Sequence, residues 1–131
     1  MTTILIDYNV EGHAQRLWQV LQRHGWLELI PLEMTTFAEL LLPKTATDRT
    51  VWRTAQNGQM LLLTANRNMD GLDSLEQVIR EENHQDAFPV LTIASADRLV
   101  ERDYCTRCAL RIVEIVLDLE NHGGIGRIFI P

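Results

Sequence analysis

A chain of 131 residues with 46% hydrophobic content is the size of a single globular domain with a core of its own. Its formal net charge of −6 argues against a broad basic footprint for nonspecific nucleic-acid binding, while leaving room for a small basic patch beside an acidic, metal-filled site. Of the twelve basic residues all but Lys44 are arginine, a bias toward planar, bidentate contacts with carboxylates or phosphates.

No run approaches the roughly 18 apolar residues of a membrane span. The first residues lack the basic region and apolar stretch of a secretory signal, so a soluble, cytoplasmic protein with no membrane partner is expected. Cys105 and Cys108 are too few for a disulfide framework, and no disulfide partner is expected.

The chain opens with an apolar run, Ile4 to Ile6, that leads straight into Asp7, Asn9 and Glu11, with Gly12 behind them. From His13 to His24, the residues Ala14, Leu17, Trp18 and Leu21 recur at i, i+3, i+4 and i+7, which is one apolar helical stripe. Gly25 stands where a C-cap belongs, and Trp26 to Ile30, closed by Pro31, reads as a second strand. Strand, helix and strand in about thirty residues make a βαβ unit. From Leu32 to Pro43 two local readings stand: a short helix capped by Thr36 and carrying Phe37, Leu40 and Leu41, or an extended Leu40 to Leu42 run. The segment either covers the core as a loop or supplies a homodimer contact through Phe37, Leu40, Leu41 and Leu42. Thr47 or Asp48 caps the next helix, which buries Val51, Trp52 and Ala55 and ends at Asn57 and Gly58.

Met60 to Leu63 is uniformly apolar, as a strand covered on both faces must be. Asp73 and Glu76 have the spacing of a capping box, opening a helix that turns Leu75, Val78 and Ile79 inward. Pro89 to Ile93 is a further buried strand. A long helix from about Asp103 to Asn121 carries Cys105, Ala109, Ile112, Val116 and Leu119 on one stripe until Gly123 and Gly124 stop it. Arg127 to Ile130 is the last strand. Five strands alternating with helices, without repeat or linker, predict one α/β domain over residues 1–131, three-layer α/β/α around a mainly parallel sheet.

The chemistry gathers at two strand ends. In open α/β sheets ligands bind beyond the carboxyl ends of the strands. That places Asp7 and Asn9 from one strand, and Thr64, Asn66, Arg67, Asn68 and Asp70 from another, beside one pocket. A carboxylate directly after a buried strand must be hydrogen-bonded or bind a cation to offset its desolvation, which singles out Asp7. The competing role for Asp7 is to cap the following turn or pair with an arginine. Asp48 has an ordinary explanation as a helix cap. The N-x-N-x-D series of Asn66, Asn68 and Asp70 offers oxygen ligands suited to Mg²⁺ or Mn²⁺, although amides hold a divalent ion less strongly than carboxylates; a polar turn is the alternative. Arg67 either takes a phosphate bidentately or neutralises Asp7 or Asp48.

The C-x-x-C of Cys105 and Cys108 fits a redox pair poorly, because about ten residues separate it from the preceding strand and Cys105 lies on the apolar stripe. His13, His24, His84 and His122 have no ligand spacing and read as surface or helix-end residues.

ILIDYN near the start, TDRTVWRTAQ in the middle and LLLTANRNMD after it resemble the PIN-like domains, in particular a short branch related to the toxin ribonucleases of toxin–antitoxin pairs. The resemblance runs from Ile4 to about Asn68, with the closing helix and strand in matching order. It implies an endoribonuclease that holds Mg²⁺ or Mn²⁺ on clustered acids and cleaves single-stranded RNA. Matched position by position, Asp7 takes the place of the first metal carboxylate and Asp48 that of the helix-opening acid. Asn66 and Asn68 take the places of the two acids of the later strand end. That substitution departs from the pattern and weakens the cage, with Asp70, Asp73 or Glu11 as acids that would have to replace them. Arg67, Asn9 and Thr64 would then face the substrate. The alternative expectation is a PIN-like domain that has lost cleavage and binds RNA, a nucleotide or a protein partner.

Overall fold

Strand residues alternate between the two faces of a sheet, and in the inner strands both sets are buried, so helices must cover both sides. The structure, a computed structural model describing residues 1–67 and 71–131, contains five strands: β1 (Thr2–Ile6), β2 (Leu32–Thr35), β3 (Met60–Thr64), β4 (Val90–Ile93) and β5 (Arg127–Ile130). All pair in parallel, in the spatial order β2-β1-β3-β4-β5. The register aligns Ile6, Leu63, Leu91 and Ile128 in one row. A second row, on the opposite face, runs Thr35, Leu5, Leu62, Val90 and Arg127 across all five strands.

The first face packs against α1 (Glu11–Arg23) and α5 (Arg102–Leu117) through Leu17, Leu21, Cys108, Ile112 and Ile115, all buried. The second packs against α3 (Asp48–Asn57) and α4 (Leu75–Glu82) through Val51, Trp52, Leu75 and Val78. The result is the expected three-layer α/β/α arrangement with an all-parallel sheet. Among the described residues no helix is long and apolar enough to cross a membrane.

Several local expectations are corrected. Trp26 to Ile30 is not a strand: Gly25, at φ 74°, takes the left-handed conformation that ends α1, and Trp26–Leu29 forms a single helical turn, α2. The second strand lies after Pro31, at Leu32–Thr35, where Leu32 and Thr35 are buried and the Pro31 carbonyl accepts from the Thr2 amide at 3.0 Å. The segment after β2 folds onto the α3 and α4 side of the core. Phe37 is buried there, Leu40 and Leu42 pack beside it, and Leu41 alone of the group projects outward, 91% exposed.

The helix α4 is capped by Ser74, whose side chain accepts from the Gln77 amide at 3.2 Å, and not by Asp73. Asp73 instead meets Arg49, which also pairs with Glu81 and Glu82, while Arg53 holds Glu82 as well. These ion pairs tie α3 to α4 from the outside. The long C-terminal helix stops at Leu117, and Leu119–His122 forms a separate 3-10 turn.

Candidate functional site

The winding of the chain creates a crevice. From β1 it passes through α1 on one face to β2 at the edge; from β2 it returns through α3 on the opposite face to β3, on the other side of β1. The carboxyl ends of β1 and β3 therefore border the point where the winding reverses, the place where open parallel sheets accommodate ligands. Asp7 and Asn66 emerge from those two ends.

Asp7 follows β1 directly and remains tied to the sheet, its amide donating to the Leu63 carbonyl at 2.9 Å. The Thr64 hydroxyl, at the buried end of β3, donates to Asp7 Oδ2 at 2.7 Å and accepts from the Asn66 amide at 2.9 Å. Asp48 arrives from the other direction, as the first residue of α3. Because Thr47 caps that helix, accepting from the Thr50 amide, the Asp48 carboxylate is released to look inward. Its Oδ2 accepts from Asn66 Nδ2 at 2.9 Å and from the Leu75 amide at 3.0 Å. Leu75 begins α4, so Asp48 sits at the amino ends of two helices, where the macrodipoles favour a negative charge.

Burial pushes the Asp7 carboxyl above its ordinary value of 3.8. The Thr64 hydroxyl opposes the rise, the Asp48 charge adds to it, and the amides of Asn9 and Tyr8 oppose it further. Neither acid has an arginine or lysine ion pair among the described residues. The two carboxylates face a cavity of about 480 Å³ lined also by Asn9, His13, Lys44 and Asn66.

In comparisons with known proteins, no family model, no curated protein and no solved structure matches this chain. What the crevice can do rests on its own donors. Mg²⁺ is commonly held by one or two carboxylates, with waters and substrate phosphates completing its octahedron, and Asp7 with Asp48 meets that minimum. Asp48 Oδ1 has no hydrogen bond from a described residue, which leaves one oxygen for an ion. Among the described residues no group of three or more histidine, cysteine, aspartate or glutamate side chains is placed to enclose a metal, so water or substrate would have to supply the remaining ligands.

The other residues singled out from sequence divide. Thr64 orients Asp7 from behind and does not line the cavity, whereas Asn9 does. Arg67 is exposed and pairs with neither acid among the described residues. Asn68 and Asp70 lie outside the described residues. Glu11 opens α1 and lines a different groove, with Trp18 and Met34, and Asp73 is committed to Arg49. Cys105 and Cys108 are buried free thiols raised by that burial, Cys108 to about 12, and Cys108 Sγ donates to the Ile130 carbonyl at 3.2 Å. A raised thiol is the reverse of a reactive thiolate.

Three residues escaped the sequence reading. His13 and Lys44 line the cavity. Arg127, from the far strand β5, donates through Nη1 to the Asn66 carbonyl and to Thr92 Oγ1, each at 2.7 Å, and through Nη2 to Glu76 at 3.3 Å. It holds the backbone that presents Asn66. Nothing in the local sequence marks it, since the contact spans 61 positions.

Proposed function

We propose that the crevice binds a divalent cation, Mg²⁺ or Mn²⁺, on Asp7 and Asp48, and that the protein is a PIN-like, metal-dependent ribonuclease acting on single-stranded RNA. The observation that supports this reading most is the convergence of two carboxylates, 41 positions apart in the chain, on one concave crevice without a basic partner among the described residues. Like charges brought together in a half-buried site cost stability unless a proton or a cation compensates them. When bound, the ion would supply Lewis acidity and an activated water for phosphodiester hydrolysis.

The chain's own residues do the positioning. Thr64 holds Asp7, the amino ends of α3 and α4 hold Asp48, and Lys44 and His13 are donors at the rim for phosphate oxygens.

A second reading has an observation of its own. Asn66 already satisfies Asp48 with an amide hydrogen, so part of the acidic site is balanced without any ion. On this reading the crevice recognises RNA, a nucleotide or a protein partner without cleaving it. Calorimetric titration of Mn²⁺ into the wild type and Asp7→Asn, followed by incubation of single-stranded RNA with and without Mn²⁺, separates the two. The nuclease predicts millimolar or tighter binding that needs Asp7, and cleavage that needs both Asp7 and the metal. Absence of Mn²⁺ binding together with intact RNA would remove the nuclease and leave recognition.

A further inference from the structure

A second groove opens on the α1 and α5 side of the sheet. In a chain of net charge −6, Arg23, His24, Arg98, Arg102 and Arg107 all face one cavity of about 840 Å³ between the end of α1, the 3-10 turn Ala96–Val100 and the start of α5. Two acids share its lining. Glu101 is engaged by Arg98 at 3.2 Å, and Asp103 is exposed. Arg98 also lies over the Tyr104 ring at 4.5 Å, with Arg107 at 5.7 Å from the same ring, so the buried tyrosine helps set both guanidinium groups.

Arg23, Arg102 and Arg107 are exposed, and none has an ion pair with a described residue. Exposed guanidinium groups gathered at a concavity, in a protein that is otherwise acidic, attract an anion. Their spread favours a chain of phosphates over a single one: Arg102 and Arg107 alone are separated by about 7.5 Å of helical rise, and Arg23 and Arg98 belong to other elements.

We propose that this groove binds the sugar-phosphate backbone of a single-stranded nucleic acid. The geometry also connects it to the first site. Ala96, which opens the five-residue 3-10 turn, lines the Asp7 cavity, while Arg98 of the same turn lines the groove. A strand whose phosphate lies at Asp7 and Asp48 crosses this turn to reach the arginines. The choice of RNA as the strand rests on the proposed ribonuclease reading; the groove itself does not require cleavage.

The test is fluorescence anisotropy with a labelled oligouridylate of roughly a dozen nucleotides, metal-free, at several salt concentrations between about 50 and 200 mM. The wild type should bind, with an affinity that falls on the order of 20-fold across that range if three phosphates are neutralised. Arg102→Gln/Arg107→Gln should weaken binding at least tenfold and lower the magnitude of the logarithmic salt slope by about 1.4. Arg102→Lys/Arg107→Lys should keep the slope. Arg80→Gln, which removes an exposed arginine on α4 across the sheet from the groove, should bind as the wild type does. Both arginines are exposed, and matched thermal melts verify folding of the variants. Unchanged affinity in the glutamine pair, or no binding by the wild type at the lowest salt, overturns the proposal. So does displacement of the probe by inorganic phosphate at concentrations comparable to the oligonucleotide, which would mark a small-anion site. Loss of binding in the glutamine pair, in a wild type that never cleaves RNA with Mn²⁺, would retain the groove and refute the nuclease.

Discussion

Asn66 occupies the position at which the chemistry of the crevice is decided. Its Nδ2 donates to Asp48 Oδ2 at 2.9 Å, so a neutral amide stands against a carboxylate that an acid at this position would repel. Asn66→Asp removes the donor and sets two carboxylates against each other in a part-buried site, where one must take a proton or share a cation. The metal-free variant should lose about 1–3 kcal/mol of stability, the cost of an unpaired buried polar group. Mn²⁺ should restore that loss and bind the variant at least tenfold more tightly than the wild type, because a third carboxylate then lines the crevice. Thermal melts with and without Mn²⁺, paired with calorimetry, measure both. Equal Mn²⁺ affinity in the two proteins would mean that position 66 does not face the ion.

Among the elements, the strands that form the crevice were legible because each is a continuous apolar run ending in a polar side chain: Met60 to Leu63 before Thr64, Ile4 to Ile6 before Asp7. The edge strand β2 was not. Its four residues include the exposed Glu33, whereas the preceding Trp26 to Ile30 is apolar at every position but Glu28 and yet forms a helical turn behind Gly25. Asp7, Asp48 and Asn66 could be singled out because a polar side chain after a buried strand, or opening a helix, has a local signature. Arg127 could not, because only the pairing of β5 into the sheet brings its side chain within reach of the Asn66 carbonyl. Its side chain is only 11% exposed and satisfies three acceptors from three other segments. Arg127→Met should therefore cost roughly 1–3 kcal/mol, since buried acceptors lose charged donors. The backbone amide of Asn66 should also exchange faster with solvent. Hydrogen exchange at Asn66 unchanged from the wild type would show that the loop is held by its other contacts, from Thr64 and Asp48.

Across the molecule, ionisation pulls stability in two directions. Glu82 is lowered by Arg53 and Arg49, and Glu81 by Gln77 and Arg49; their contribution is present above the unfolded carboxylate range and lost as pH falls through their folded values. Asp7 behaves in the opposite sense. Its folded value is raised, chiefly by burial, so the folded protein binds that proton more tightly than the unfolded chain does. Stability from this group is complete below its ordinary value of 3.8 and is lost as pH rises through the folded value. Asp7→Asn cannot ionise, and its amide oxygen can still accept from Thr64. The difference in melting temperature, variant minus wild type, should therefore increase with pH through the window that starts near 3.8 and then level off, with the variant the more stable at pH 7. The glutamates cancel in this difference because both proteins carry them. A difference that stays flat with pH would mean that Asp7 bears no ionisation cost. At neutral pH, Mn²⁺ at about a hundred times its dissociation constant adds about 2.7 kcal/mol to the protein that binds it. It should close or reverse the gap by stabilising the wild type alone. The carboxylate that destabilises the metal-free protein at pH 7 would then be the group that draws the cation in.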